Sequence, residues 1–121
     1  MSIKKVTVTD KMELFSDYWS PKVVGALNNQ LVKVAKFKGE FVWHHHDNED
    51  ELFYVLKGSL SIALRDKTLT LAPGEFVIIP RGVEHKPFAE EEVHVLLFEP
   101  ASTLNTGSTQ NDLTQHNLDI I

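Results

Sequence analysis

What most constrains this chain is its punctuation. Glycine and proline recur at Lys38-Gly39, Lys57-Gly58, Ala72-Pro73-Gly74, Pro80-Arg81-Gly82 and Glu99-Pro100, and Asn28-Asn29 and Arg65-Asp66 add two more turn signals. The apolar runs between them are short: Val23 to Leu27, Leu31 to Phe37, Phe41 to His46, Leu52 to Leu56, Leu60 to Leu64, Leu69 to Leu71, Phe76 to Ile79 and Val93 to Phe98. Leu60, Ile62 and Leu64 alternate with Ser59, Ser61 and Ala63, the period of a half-buried strand. Short strands at about eight to twelve residues predict an all-β sandwich or barrel. No helix of useful length separates them, which excludes a parallel α/β sheet. His85 is expected to begin a further short strand that Pro87 interrupts, and Phe76 to Ile79 reads as a buried strand.

The two ends differ from the middle. Lys4 to Val8 alternates weakly, as an edge strand would. Asp10 to Phe15 reads as a short N-terminal helix, with Asp10 and Glu13 spaced as a capping box. From Ala101 onward Ser, Thr, Asn and Gln dominate, so residues 101–121 are expected to form a loose polar tail on one domain spanning residues 1–100. The formal charge of -5 and pI of about 5.6 argue against nucleic-acid binding. There is no cysteine, so no disulfide or thiolate site, and no run is long enough to span a bilayer. A cytoplasmic protein is the expectation. Leu52 to Leu56 and Val93 to Phe98 are apolar on both faces, so one face needs cover beyond the core, and a homodimer is expected to supply it.

The chemistry gathers at Trp43-His44-His45-His46-Asp47-Asn48-Glu49-Asp50-Glu51. On a strand from Phe41 to His46, His44 and His46 share a face and His45 points away. If Glu51 opens the next strand after a tight turn, its carboxylate returns beside them. Two nitrogens and one oxygen on one face make a set suited to a divalent transition metal, with His85 available as a fourth. A set using His45 in place of His44 would split its ligands between two faces.

These residues carry a family signature. Gly39, His44, His46, Glu51 and Gly58 resemble the first cupin motif, in which two histidines one residue apart precede a glutamate after four residues and a glycine after six more. Gly74, Pro80, Gly82 and His85 resemble the second, with intervals of five, one and two residues. Two positions depart from the pattern: Gly39 precedes His44 by four residues where the family has five, and Ala89 stands where the second motif ends in asparagine. The resemblance implies a small single-domain cupin, of the type often labelled mannose-6-phosphate isomerase-like. It implies a conical antiparallel β-barrel of jelly-roll (double-stranded β-helix) topology. It further implies His44, His46, Glu51 and His85 as ligands to iron, manganese, nickel, copper or zinc.

Around that set, Phe53 shares a face with Glu51 and is expected to wall the pocket, while Trp43 and Tyr54 pack outside. If Leu96 and Phe98 face inward, so does His94, which could then act as an acid or base. Arg81 beside His85 could meet an anionic substrate. One of the carboxylates from Asp47 to Asp50 could orient an imidazole. The expected function is metal-dependent, dioxygenase-like chemistry on a small organic substrate. The alternatives are a non-catalytic binding or sensing domain, or a sugar isomerase or epimerase. No glycine-rich loop or arginine cluster offers a phosphate cradle, which ranks the isomerase lower. The sequence identifies no catalytic residue beyond the metal set.

Overall fold

A computed structural model describes residues 2–121. A five-residue helix, α1 (Val8–Met12), precedes seven strands: β1 (Lys22–Leu27), β2 (Gln30–Glu40), β3 (Glu51–Lys57), β4 (Leu60–Leu64), β5 (Thr68–Leu71), β6 (Phe76–Ile79) and β7 (His85–Pro100). All the pairings between these strands are antiparallel, in the order β1-β2-β7-β3-β6, with β4 between β5 and β7. The fold is the all-β, jelly-roll type with a short N-terminal helix that the sequence predicts.

Strand β7 organises the barrel. Along one edge it pairs with β2, and along the other it pairs with β4 near its start and with β3 near its end. It can serve three strands because it bends: between Phe37↔Val93 and Gly39↔Ala89, Glu90, Glu91 and Glu92 stand opposite the single residue Lys38. Gly39 takes φ +80° there, a left-handed conformation that glycine adopts without Cβ strain. Lys38-Gly39 is thus a bulge within β2, not the turn expected from sequence. Pro87 does not break β7 either. Its carbonyl accepts from the Phe41 amide, and the strand continues through it.

Phe37, Phe53, Val55, Leu60, Ile62, Val93, Val95 and Leu97 are buried inward and form the core. The phase of two strands departs from expectation. In β7, Val93, Val95, Leu97 and Glu99 face in, while His94, Leu96 and Phe98 face out. Strand β6 is an edge strand, not a buried one: Ile79 is buried, but Phe76 is 59% and Ile78 53% exposed.

The ends close over this barrel. Lys4 to Val8 forms no strand. The helix starts two residues earlier than expected, at Val8, and the side chain of Thr7, which precedes it, makes no capping bond. Helix α1 packs on β2, with Met12 buried. Trp19 stacks on Phe37 and Phe41 with ring centroids 4.2 and 4.8 Å away, and its Nε1 donates to the Lys38 carbonyl. Residues 101–121 are irregular, as their composition suggests, yet they lie against the barrel. Thr109 Oγ1 donates to the Trp43 carbonyl, Ser108 N to the His45 carbonyl, and Ile121 N to the Val23 carbonyl. No helix among the described residues is long and apolar enough to cross a membrane.

Candidate metal centre

Three segments converge to bring four side chains together. The stretch from Phe41 is extended but is not a regular strand. It touches β7 through one bridge, in which His44 N donates to the His85 carbonyl and His85 N to that of His44. That reciprocal pair sets the two imidazoles side by side, centroids 4.2 Å apart. His46, two residues on, faces the same way and is anchored where Gly82 N donates to its carbonyl. Glu51 opens β3, opposite Ile79. All four side chains are buried, and their ligand atoms lie within 4.8 Å of one another.

The imidazoles are oriented for ligation. His44 Nδ1 lies 2.9 Å from the Val42 carbonyl and His85 Nδ1 2.9 Å from that of Val83; a carbonyl only accepts, so each Nδ1 donates there, which fixes the ring and leaves each Nε2 to the cluster. The acidic loop does not perform this task; its Asp47 pairs with the outward His45 at 2.9 Å. Glu51 Oε1 stands 3.4 Å from His46 Nε2 and 3.3 Å from His85 Nε2. Donors sharing one ion at about 2.0–2.2 Å are separated by comparable distances. Both ring nitrogens of His46 are buried without a hydrogen bond, a costly arrangement for an imidazole unless something else satisfies it. Three imidazole nitrogens and one carboxylate, with one of the imidazoles otherwise orphaned, fit a divalent transition metal.

Electrostatics hold two members of the set, His44 and Glu51, in their unprotonated forms. Burial, then the adjacent His85, push the His44 imidazole down to about 4. Burial pushes the Glu51 carboxyl up, but its neighbours Glu99, His46 and His85 outweigh that and hold it well below the usual carboxylate range. The His44 shift has a consequence for the metal-free protein. An unfolded histidine takes its proton near 6.5, the folded one near 4, so between these values the unfolded state binds more protons. Stability is therefore full above about pH 6.5 and falls as the pH drops towards 4, by about 3 kcal/mol. Urea unfolding of chelator-treated protein at pH 7 and 4.5, beside His44→Gln, measures this; equal pH dependence in both proteins would contradict it.

The other candidates separate. Phe53 is buried and edge-on to His85, centroids 6.1 Å apart, and lines the cavity beside His44 and Glu51. His94 does not reach that cavity. It projects from the outer face with Nε2 2.7 Å from Glu92, because β7 turns the opposite residues inward. Arg81 is tied to Asp50 through its backbone N at 2.9 Å and its guanidinium at 3.2 and 3.3 Å, so it pins the acidic loop instead of facing a substrate. Trp43 is outside, with the Arg65 guanidinium 3.8 Å from its ring centroid.

Sequence reasoning does not single out Lys33 and Glu99. Leu52 pairs with Phe98, so one step along the same register brings Glu51 opposite Glu99. Glu99 lines the cavity and receives Lys33 Nζ at 2.8 Å, both side chains being 2% exposed. Burial and the facing Glu51 push Glu99 well above the ordinary carboxylate range, against the pull of Lys33. The available signal was parity: Glu99 continues the series Val93, Val95, Leu97.

Residues 30–99 match the family model described as "Cupin domain". This chain belongs to the cupin family. A solved cupin-2 domain containing protein from Shewanella frigidimarina is 47% identical, with a TM-score of 0.78 over 78% of this cupin and 93% of that chain. Protein NMB1881 from Neisseria meningitidis shares the fold at 21% identity, TM-score 0.74, over 81% of this chain and all (100%) of that one. The uncharacterized protein YdbB of Bacillus subtilis is 42% identical over 64 residues, 52% of this cupin. The match spans 57% of that relative's length.

Proposed function

We propose that this cupin binds one divalent transition metal (iron, manganese, nickel, copper or zinc) through Nε2 of His44, His46 and His85 and a carboxylate oxygen of Glu51. The bound ion serves chemistry on a small organic substrate. The observation that carries the reading is the buried, unpartnered His46 imidazole within a four-donor cluster. When bound, the metal would act as a Lewis acid towards an oxygen donor and, if redox-active, support dioxygenase-like reactions. The chain's part is to hold the donors in one orientation, while Phe53, Phe41 and Leu97 keep much of the cavity wall apolar. Beside the imidazole and apolar groups, the cavity carries the carboxyls of Glu51 and Glu99 and the amide of Asn105, with no cationic side chain, which does not suit a phosphate ester. Elemental analysis of untagged protein, purified without chelator or added metal, is expected to give about one equivalent of one of these metals. Substoichiometric metal that reconstitution does not raise would overturn the reading.

We also propose that two copies associate through the outer face of β2, β3, β6 and β7. Val32, Phe98, Leu52 and Ile78 lie across neighbouring strands there, as do Leu96, Tyr54 and Phe76. Light scattering is expected to return twice 13.7 kDa, and Phe76→Glu with Ile78→Glu to halve it. A wild-type monomer at micromolar concentration would refute the association.

A further inference from the structure

Two of the three candidate imidazole ligands are turned towards the cluster by a carbonyl two residues upstream, that of Val42 for His44 and that of Val83 for His85. His46 has no such anchor. The carbonyl two residues before it belongs to His44 and accepts the His85 amide at 2.9 Å, and neither ring nitrogen of His46 has a hydrogen-bond partner. What lies against this ring comes from the far end of the chain. A Cβ added to Gly107 would stand 3.1 Å from His46 Nδ1 and would run into the His45 carbonyl. Gly107 takes φ +53°, so the absence of a side chain serves both its left-handed turn and the close approach.

Backbone bonding shows how Gly107 is held there. Alternate residues of an extended chain send their backbone groups to opposite edges. On one edge, His44 exchanges both its bonds with His85 of β7. On the other, the His45 carbonyl accepts from Ser108 N at 2.9 Å, the His45 amide donates to Ser108 Oγ at 3.2 Å, and the Trp43 carbonyl accepts from Thr109 Oγ1 at 2.9 Å. Ser108 and Thr109 thus stand where a neighbouring strand would, and the histidine segment is clamped between β7 and the C-terminal tail. The tail is braced in turn: Gly107 N donates to the Leu104 carbonyl, and the buried Thr106 shares a hydrogen bond of 2.7 Å with Thr114. We infer that Gly107 is a positioning residue of the metal centre: its bare backbone fixes the His46 imidazole for coordination, the task a carbonyl performs for His44 and His85. Gly107 lies outside the matched span of residues 30–99, and its role depends on the metal-binding reading above.

The test titrates cobalt(II), whose visible absorption reports its ligands, into the full chain after chelator treatment. Gly107→Ala is expected to bind cobalt about 10–100-fold more weakly than wild type, the usual cost of losing a group that orients a ligand, and with an altered visible spectrum. Gly74→Ala is the control. Gly74 takes φ +87° and nothing lies within 4 Å of an added Cβ, so this variant carries the left-handed penalty without the contact and should bind cobalt as wild type does. Ser108→Ala with Thr109→Val keeps the glycine but removes side-chain bonds that hold it against the histidine segment, and should weaken binding about tenfold. Wild-type affinity and spectrum in Gly107→Ala, or an equal loss in Gly74→Ala, would overturn the inference. If Gly107→Ala does not fold, the double variant decides, and wild-type affinity there would overturn it. Failure of wild type to take up cobalt would instead overturn the metal reading, and this inference with it.

Discussion

His46→Ala and Glu51→Ala are each expected to purify with less than about a tenth of the wild-type metal, while His45→Ala keeps a full complement. The contrast follows from geometry. His46 and Glu51 contribute two of four donors to one buried cluster, and the 3.4 Å between them is the distance an ion would bridge. Changes to groups that merely orient ligands cost about 10–100-fold in affinity, and removing a ligand costs more. His45 lies one residue away but points to Asp47 and Ser108 on the far side of the chain. Metal that binds the folded state alone stabilises it by about 4 kcal/mol at a thousandfold excess over Kd. Thermal melts with and without metal should therefore separate for wild type and His45→Ala and coincide for the two ligand variants. Equal metal content in His46→Ala and wild type would remove His46 from the site.

Lys33→Met should destabilise the protein by about 3 kcal/mol, and adding Glu99→Leu should recover most of that. Deleting one member of a buried pair strands the other charge, at a cost of about 3–5 kcal/mol, whereas replacing both with apolar groups of similar size is often close to neutral. The lower figure applies because Glu99 already sits well above the ordinary carboxylate range, and without Lys33 it can evade the charge by holding a proton. That escape has a signature. The unfolded Glu99 ionises near pH 4.3 while the folded one stays protonated, so the single variant should lose stability as the pH rises from about 5 to 8. Urea unfolding at both pH values checks each part; a double variant no more stable than the single one would show that the pair is not coupled.

How much of this was legible in the sequence depends on where local pattern fixes phase. In β4, polar Ser59 and Ser61 mark one face, so Leu60 and Ile62 are placed inside without ambiguity. His44 and His46 are legible for the same reason: a one-residue gap puts them on one side of any extended chain. In Val93 to Phe98 both faces are apolar apart from His94, and period two gives no phase. The choice is made by β2 and β3, whose registers turn Val95 and Leu97 inward and send His94 out. Phe76 to Ile79 fails similarly, since four apolar residues do not say whether a second sheet covers them. Pro87 misleads because a missing N–H ends a strand only where that N–H was needed, and here the carbonyl makes the bond. The packing of residues 101–121 is illegible in composition, because it depends on the particular carbonyls of Val23, Trp43 and His45.

The sharing of β7 among three partners also shapes how this molecule comes into being. A ribosome delivers β2, β3 and β4 well before it delivers the strand that pairs with each of them, so the early chain carries edges that cannot yet be satisfied. Closing loops from β2 to β7 sacrifices entropy before those contacts form, which places this barrel among slow folders of high contact order. His85 arrives on that same late strand. A nascent chain truncated before it holds His44, His46 and Glu51 without the bridge that aligns them, so assembly of the complete four-donor cluster is an event of the finished chain.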